Sequence, residues 1–326
     1  MSHRIFITGY GIAEEARQYL REANCLVEFG DPDDTPADIA RKLKEFRADG
    51  IIVRAGRITA EVLAATTTLR VVCKHGVGTD NIDIQAATAR GIPVMFTPLG
   101  NYESVAEHTL ALILALARRI PAQDERVRRG LFDKKRYDGF ELRGKTLGLV
   151  GCGRVGRRLC RLVEAFEMDV VAYQPSRTAE GLPQRVSKAQ GLDDVLSRAD
   201  VLTLHCPLTS STRGMINGQS IALMKRGAYV VNTARGGLIN ESDLFDALND
   251  GRIAGAALDV YEVEPPAPDN RLFGLDNVIF TPHVAGLSDN SYKNMGMDSV
   301  RNVLAVLGGE PIDTGALVNG EVLERL

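Results

Sequence analysis

Short apolar runs recur along the chain, each followed by a longer stretch whose apolar positions fall at helical spacing. RIFITG precedes IAEEARQYLREA, GIIVR precedes TAEVLAAT, and LRVVCKHG precedes IDIQAATARG before IPVMFTP closes the series. A second series opens at KTLGLVG and runs through MDVVAY, ADVLTLH, GAYVVNT and IAGAALDV to VIFTP. Apolar runs alternating with helical periods predict parallel sheets joined by crossover helices. Two such series predict two α/β domains.

The divide falls near TPLGNYES, residues 97–104. Residues 1–98 with 287–326 are assigned to a discontinuous first domain, and 99–286 to a second. Residues Ser104 to Arg119 predict a helix that opens on a capping box, Ser104 with Glu107 three positions on. The segment is apolar on most faces, which predicts burial between domains or against another subunit. A last helix, about Asp289 to Leu307, is expected to pack back on the first domain. EVEPPAPDN, 262–270, reads as a proline-rich loop.

Composition narrows the class. Over 326 residues, 44% apolar and 25% charged describe an ordinary globular chain, and a net charge of −3 argues against a nucleic-acid or membrane surface. The longest apolar run, TLALILALA, falls short of the ~20 residues that span a bilayer. MSHRIFITGY lacks the apolar core of a signal peptide. Cys25, Cys73, Cys152, Cys160 and Cys206 form no CxxC pair and read as reduced, buried thiols of a cytoplasmic protein. No ligand cluster has metal spacing.

KTLGLVGCGRVGRRLC reads as strand, loop, helix. Gly151 permits a tight turn, Gly153 lets backbone approach a pyrophosphate, and Gly156 lets helix and strand pack closely. Arg154 and Val155 fall in the first helical turn, whose N–H groups and dipole favour phosphate. About twenty residues on, the dinucleotide fingerprint expects an acid that holds the ribose hydroxyls. Gln174 stands there instead, with Ser176 and Arg177 behind it.

Three charged or titratable residues follow strands of the second series. Arg235 lies in VVNTARGGLIN, Glu264 in DVYEVEPP and His283 in IFTPHVAG. Ligands of doubly wound sheets bind outside the carboxyl ends of strands. An arginine clamps a carboxylate, a histidine exchanges a proton near neutral pH, and a glutamate orients a histidine. Taken singly, each also fits a satisfied or solvated structural role.

KHGVGTDNID (74–83), NYESVAEHTLALILALAR (101–118), LTLHCPLTSSTRGMIN (202–217), NTARGGLIN (232–240), GAALDVYEVEPP (255–266) and TPHVAGLS (281–288) add to the glycine loop. With these motifs, over nearly all its length, the chain resembles the D-isomer-specific 2-hydroxyacid dehydrogenase family. The resemblance implies two Rossmann-like domains, a flavodoxin-like substrate domain and a doubly wound dinucleotide-binding domain, with the active site in the cleft between them, and a homodimer. It also implies residue roles. Arg235 binds the substrate carboxylate, His283 is the acid/base at the C2 oxygen, and Glu264 pairs with His283. Asp259 is similar to the residue that contacts the nicotinamide carboxamide. His205, Pro207, Thr212 and Thr233 resemble residues along the cofactor's path. Gly76, Val77 and Gly78 match the loop that grips the carboxylate. His108 is expected to be structural or dimer-related.

Many family members carry Asp where Gln174 stands. A neutral Gln174 removes repulsion of a 2′-phosphate, and Ser176 and Arg177 are placed to contact one, which leans the cofactor expectation to NADP over NAD. IIVRAGRIT and FDKKRYDGFELRGKT resemble segments of 3-phosphoglycerate dehydrogenases, where Arg54, Arg57, Lys135 and Arg136 are candidates for a phosphate tail. Lys74-His75 departs from the Arg-Ala common there, and His75 is placed beside the carboxylate loop. The expected function is reversible hydride transfer between a nicotinamide cofactor and C2 of a small 2-hydroxy or 2-oxo acid, of hydroxypyruvate, glyoxylate or 3-phosphoglycerate type. The alternative is a dinucleotide-sensing binding protein, corepressor-like, on the same fold.

Overall fold

A computed structural model describes residues 2–9, 11–132, 134, 137–174 and 185–325. The chain divides into two compact units, one made of the residues to Asn101 together with those from Leu287 onward, the other of Tyr102–Gly286.

The first unit is built on β1 (Arg4–Ile7), β2 (Leu26–Phe29), β3 (Gly50–Val53), β4 (Val71–Lys74) and β5 (Val94–Met95), all parallel in the order β2-β1-β3-β4-β5. Helices α1 (Glu14–Glu22), α2 (Pro36–Phe46), α3 (Ala60–Ala64) and α4 (Ile84–Ala89) make the crossovers. Strands β1 and β3 are buried almost throughout because both faces are covered, which is why they read as unbroken apolar runs. Phe6, Ile51, Val53 and Val72 face one core, while Ile5, Ile7, Ile52 and Cys73 face the other. Strand β2, LVEF, lies at the sheet edge with its two end residues exposed. An edge strand needs no continuous apolar run, so its pattern does not stand out.

The second unit opens with α5 (Tyr102–Arg118) and α6 (Ile120–Arg128). Helix α5 starts two residues before the expected Ser104, so Ser104 lies inside the first turn and does not cap it. Its buried residues Ala106, Ile113, Leu116 and Ala117 share a core with Leu159, Cys160 and Val163, so its apolar character is consumed within its own unit. Strands β6 (Thr146–Val150), β7 (Asp169–Tyr173), β8 (Val186–Lys188), β9 (Val201–Leu204), β10 (Ala228–Asn232), β11 (Ile253–Leu258) and β12 (Val278–Phe280) are parallel in the order β12-β11-β10-β9-β6-β7-β8. Helices α7 (Arg154–Glu164), α8 (Leu192–Arg198), α9 (Gly218–Leu223) and α10 (Glu241–Asn249) connect them. Strand succession reverses between β6 and β9, which is the switch point where such sheets bind ligands. Of the cysteines, Cys73, Cys152 and Cys160 are buried, whereas Cys25 and Cys206, in the loops after α1 and β9, are half-buried.

The chain then returns to the first unit as α11 (Asp289–Gly308), packed on α1, β3 and β4. Ser288 caps it reciprocally with Ser291, and Gly309 ends it in the left-handed conformation at φ 72°. The C-terminal segment is fastened by Asn319, which is 2% exposed. Its Oδ1 accepts from Val94 N–H at 2.8 Å, and its Nδ2 donates to Ile92 O at 3.0 Å and Thr88 Oγ1 at 2.9 Å. Asn319→Leu strands two buried backbone groups and is expected to cost roughly 2–4 kcal/mol. A urea midpoint within error of wild type would remove that role.

Candidate functional site

The loops after β6 and β9 meet at the switch point. Gly151 has φ 95°, and a Cβ there would stand 2.5 Å from His205 O, so only glycine lets the two loops touch. Gly156 is equally constrained, since its Cβ would meet Gly151 O at 2.5 Å. Gly153 is the N-cap of α7, carries no side-chain cap, and faces open space where its Cβ would be. An uncapped helix start with room before it suits a phosphate, so the loop with Arg154 and Val155 fits a dinucleotide.

Gln174 directly follows the next strand, β7, with its Oε1 buried and, among the described residues, without a partner. Ser176 and Arg177 lie outside the described residues, as do Lys135 and Arg136. Burial pushes His205 down to about 4, so it is neutral near pH 7, and its Nε2 lies 2.9 Å from Thr203 Oγ1. Thr212 donates to Pro207 O at 2.7 Å and accepts from Thr209 N–H at 2.8 Å, closing the turn that presents Pro207. Thr233 is 7% exposed and lies 2.9 Å from Thr109 Oγ1, whose own proton goes to Val105 O.

Arg235, Glu264 and His283 come together within this unit. His283 Nδ1 lies 2.6 Å from Glu264 Oε2, and Glu264 Oε1 accepts from Tyr261 N–H at 3.0 Å. Burial alone would raise the Glu264 carboxyl. The His283 hydrogen bond, the Tyr261 N–H and the charges of His283 and Arg235 outweigh it and hold the carboxyl below its usual value. Arg235 follows β10, and its Nη1 donates to Ala234 O at 2.7 Å. The Asn232 side chain fixes that turn, donating to Arg235 O at 2.9 Å and accepting from Ala234 N–H at 3.1 Å. At Gly236 a Cβ would fall 1.9 Å from the Tyr261 carbonyl, so glycine lets the Arg235 turn lie against the strand end that carries Glu264.

His283 is held at φ 54°, a left-handed conformation that costs an L-residue roughly 1–2 kcal/mol. Its N–H donates to Asp259 O at 2.8 Å and Thr281 O at 3.1 Å, which offsets part of that strain. The Asp259 carboxylate is fully buried and accepts from Thr281 Oγ1 at 2.6 Å and from Val284 and Ala285 N–H at 2.9 Å each. Tyr261 OH donates to Thr281 O at 2.9 Å. Thr281, Tyr261 and Asn232 were not singled out from the sequence, although each lies in a motif recognised there. Their signal was adjacency to Arg235, Glu264 and His283.

The first unit holds the remaining candidates. Arg54 follows β3, its Nη1 donates to Gly11 O, and its guanidinium lies 5.0 Å over the Tyr292 ring. Arg57 is exposed. His75 is 7% exposed, with its ring tilted on Tyr292 at 5.7 Å and its Nε2 buried without a partner among the described residues. Burial, then the Arg54 charge, push it down to about 3, so it carries no charge near pH 7. Gly76 N–H donates to Thr97 Oγ1 at 2.9 Å. The N–H groups of Val77 and Gly78 donate to nothing among the described residues, which leaves a pair of backbone donors after β4.

Comparison with known proteins bears on this geometry. Residues 110–285 match the family model described as D-isomer specific 2-hydroxyacid dehydrogenase, NAD binding domain. The chain is 42% identical over 302 residues to a D-3-phosphoglycerate dehydrogenase of Archaeoglobus fulgidus, covering 92% of this chain and 57% of that protein. A hydroxypyruvate reductase of Thermotoga maritima is 40% identical over 263 residues, covering 80% of this chain and 85% of its own. The crystal structure of D-lactate dehydrogenase from Aquifex aeolicus complexed with NAD and lactic acid superposes with a TM-score of 0.86 at 31% identity, covering 97% of this chain and 99% of that one. The chain belongs to the D-isomer-specific 2-hydroxyacid dehydrogenase family. It spans about half the length of several of the curated phosphoglycerate dehydrogenases it matches. Among the described residues, no helix is long and apolar enough to cross a membrane.

The Glu264 pairing has a defined pH sign. Its folded carboxyl lies below the unfolded 4.5, so the pairing contributes fully above that pH and is lost as pH falls through the folded value. The stability gap between wild type and Glu264→Gln is therefore expected at neutral pH and should close below 4.5. A gap that widens on acidification, in urea titrations across pH, would contradict the assignment.

Proposed function

We propose that the protein is a nicotinamide-dependent oxidoreductase that interconverts a small 2-oxo acid and the D-2-hydroxy acid. The observation that carries this reading is the imidazole–carboxylate pair at 2.6 Å beside an arginine. The dinucleotide, when bound, supplies or accepts the hydride at C2. The chain's residues do the rest. His283 Nε2 delivers a proton to the C2 oxygen as the 2-oxo acid is reduced and takes it back in oxidation. Glu264 holds Nδ1, so that Nε2 is the nitrogen presented and the protonated ring has a counter-charge. Arg235 binds the carboxylate and fixes the carbonyl's orientation, which lowers the barrier by restricting approach.

In this reading the second unit, assigned as 99–286, is the dinucleotide domain. Gly151, Gly153, Arg154, Val155 and Gly156 hold the pyrophosphate, and His205, Pro207, Thr212 and Thr233 line the path. Asp259 enters through the loop it fixes. The first unit, assigned as 1–98 with 287–326, is the substrate domain. Its Val77 and Gly78 N–H groups receive a carboxylate, and Arg54, His75 and Gly76 shape the surroundings. The substrate is of hydroxypyruvate, glyoxylate or 3-phosphoglycerate type, and an uncharged His75 favours the unphosphorylated acids. Gln174 supports NADPH over NADH, because no carboxylate stands there to repel a 2′-phosphate.

The protein is read as cytoplasmic, supported by five unpaired cysteines, and as a homodimer. Helix α6 buries none of its residues; Ile120 and Val127 on it are 57% and 58% exposed, and Phe132 beyond it is 83% exposed. An apolar patch of this kind suits a second copy of the chain. Sedimentation should give a dimer that Val127→Glu with Phe132→Glu converts to monomer; a monomeric wild type would end this part of the reading.

Initial rates at 340 nm with hydroxypyruvate test the whole. NADPH is expected to outperform NADH, and Gln174→Asp to reverse the order. His283→Ala should lose about a hundredfold or more in kcat while keeping dinucleotide affinity. Full activity in His283→Ala would sink the proton-transfer role, and an unaltered cofactor ratio in Gln174→Asp would discard the ribose argument.

A further inference from the structure

The site contains a chain of hydrogen bonds that begins on a helix far in sequence from the proposed acid/base. His108 lies on α5, and its Nε2 is 3.2 Å from Thr281 Oγ1. The Thr281 hydroxyl has one proton, and that proton goes to Asp259 Oδ1 at 2.6 Å, because a carboxylate can only accept. His108 Nε2 must therefore carry the hydrogen that meets Thr281. The same Asp259 oxygen takes Val284 N–H, the other takes Ala285 N–H, and the Asp259 carbonyl takes His283 N–H. Residues 281, 283, 284 and 285 are thus all tied to one buried aspartate, and His283, held at φ 54°, sits in the middle.

We propose that His108 and Thr281 are positioning residues for His283: Thr281, by donating to the Asp259 carboxylate, and His108, by donating to Thr281, hold the 281–285 segment in the conformation that sets the imidazole against Glu264. The inference rests on the reading of His283 as proton donor. The sheet does not depend on this chain of bonds, since β11 and β12 pair through their own backbone from Ala256↔Val278 to Leu258↔Phe280. What depends on it is the direction in which the His283 side chain leaves the backbone. The charged groups facing that side chain are Glu264, in contact, and Arg235, whose charge acts on Glu264. Loosening the segment therefore weakens the only described hydrogen bond of the His283 ring. The expected signature is in kcat, not in dinucleotide binding.

Thr281→Val removes the hydroxyl and keeps the branched shape. Its kcat for hydroxypyruvate reduction is expected to fall about tenfold, near 1.4 kcal/mol, with the dissociation constant for the dinucleotide unchanged by fluorescence titration. Thr281→Ser restores the hydroxyl and should recover most of that loss. His108→Gln, which keeps an N–H donor, should stay near wild type, and His108→Leu should fall in kcat alone. The Thr281→Val and Glu264→Gln losses should combine to less than their product, because both act through one imidazole. The inference is overturned if Thr281→Val turns over like wild type, if Thr281→Ser is as impaired as Thr281→Val, if the losses multiply, or if the loss appears in dinucleotide affinity. Should Thr281→Val fail to fold, the His108 pair decides by the same criteria. An active wild type with a silent Thr281→Val sinks only the positioning role; a wild type without turnover sinks the functional reading and this inference with it.

Discussion

The burial of the Asp259 carboxylate is the constraint on which the candidate site depends. An ionised group closed to solvent is expensive unless each lone pair is met by a donor. Here the donors come from the chain that follows β12: the Thr281 hydroxyl and the Val284 and Ala285 N–H groups. The aspartate at the end of one strand thereby dictates the conformation of the segment after the next. His283 is carried in that segment, in a backbone region that side chains rarely adopt, and the strain persists because its neighbours on both sides are already committed. Remove the carboxylate and there is no reason for the imidazole to stand where it meets Glu264.

Glycines set the second condition, by distance rather than charge. At Gly151 and Gly156 backbone atoms of neighbouring segments lie where a Cβ would be, and at Gly236 the Tyr261 carbonyl does. The first two close the switch point so that the start of α7 faces open space. The third lays the Arg235 turn on the strand end that leads to Glu264. The dinucleotide loop and the charged cluster are thus products of one rule: where two loops must touch through their backbones, no side chain fits.

Much of this was legible in the chain. Central strands declared themselves because both faces are covered, which forces apolar runs such as those of β1, β3 and β6. The glycine loop was legible because its spacing is dictated by the geometry just described. Two of the four edge strands were not: β2 and β8 are covered on fewer sides, and sequences such as LVEF and VSK satisfy them, whereas the edge strands β5 and β12 still show as the apolar runs IPVMFTP and VIFTP. The start of α5 was misplaced at Ser104 because a capping pattern is local, whereas the helix extends two residues upstream. Arg235, Glu264 and His283 were visible as charges after strands. Thr281 was not, and His108 was read only as structural or dimer-related, because a threonine hydroxyl and a histidine 173 positions apart acquire a joint meaning only when the fold brings them together beside one carboxylate.

The titratable groups also show why residue type alone does not assign chemistry. Three histidines of this chain follow strands, yet burial pushes His75 to about 3 and His205 to about 4, so both stay neutral near pH 7. Among the described residues, no carboxylate is in contact with either ring to hold a proton on it. His283 is the one of the three that is substantially exposed and has a carboxylate at 2.6 Å, itself kept ionised by that contact and by the Arg235 charge. Proton exchange near neutral pH requires a ring that reaches solvent or substrate and a partner that stabilises both of its states. Of these three imidazoles, only His283 joins exposure to a carboxylate contact among the described residues, and those surroundings, which a strand-end position by itself does not reveal, are what single it out for the proton transfer proposed above.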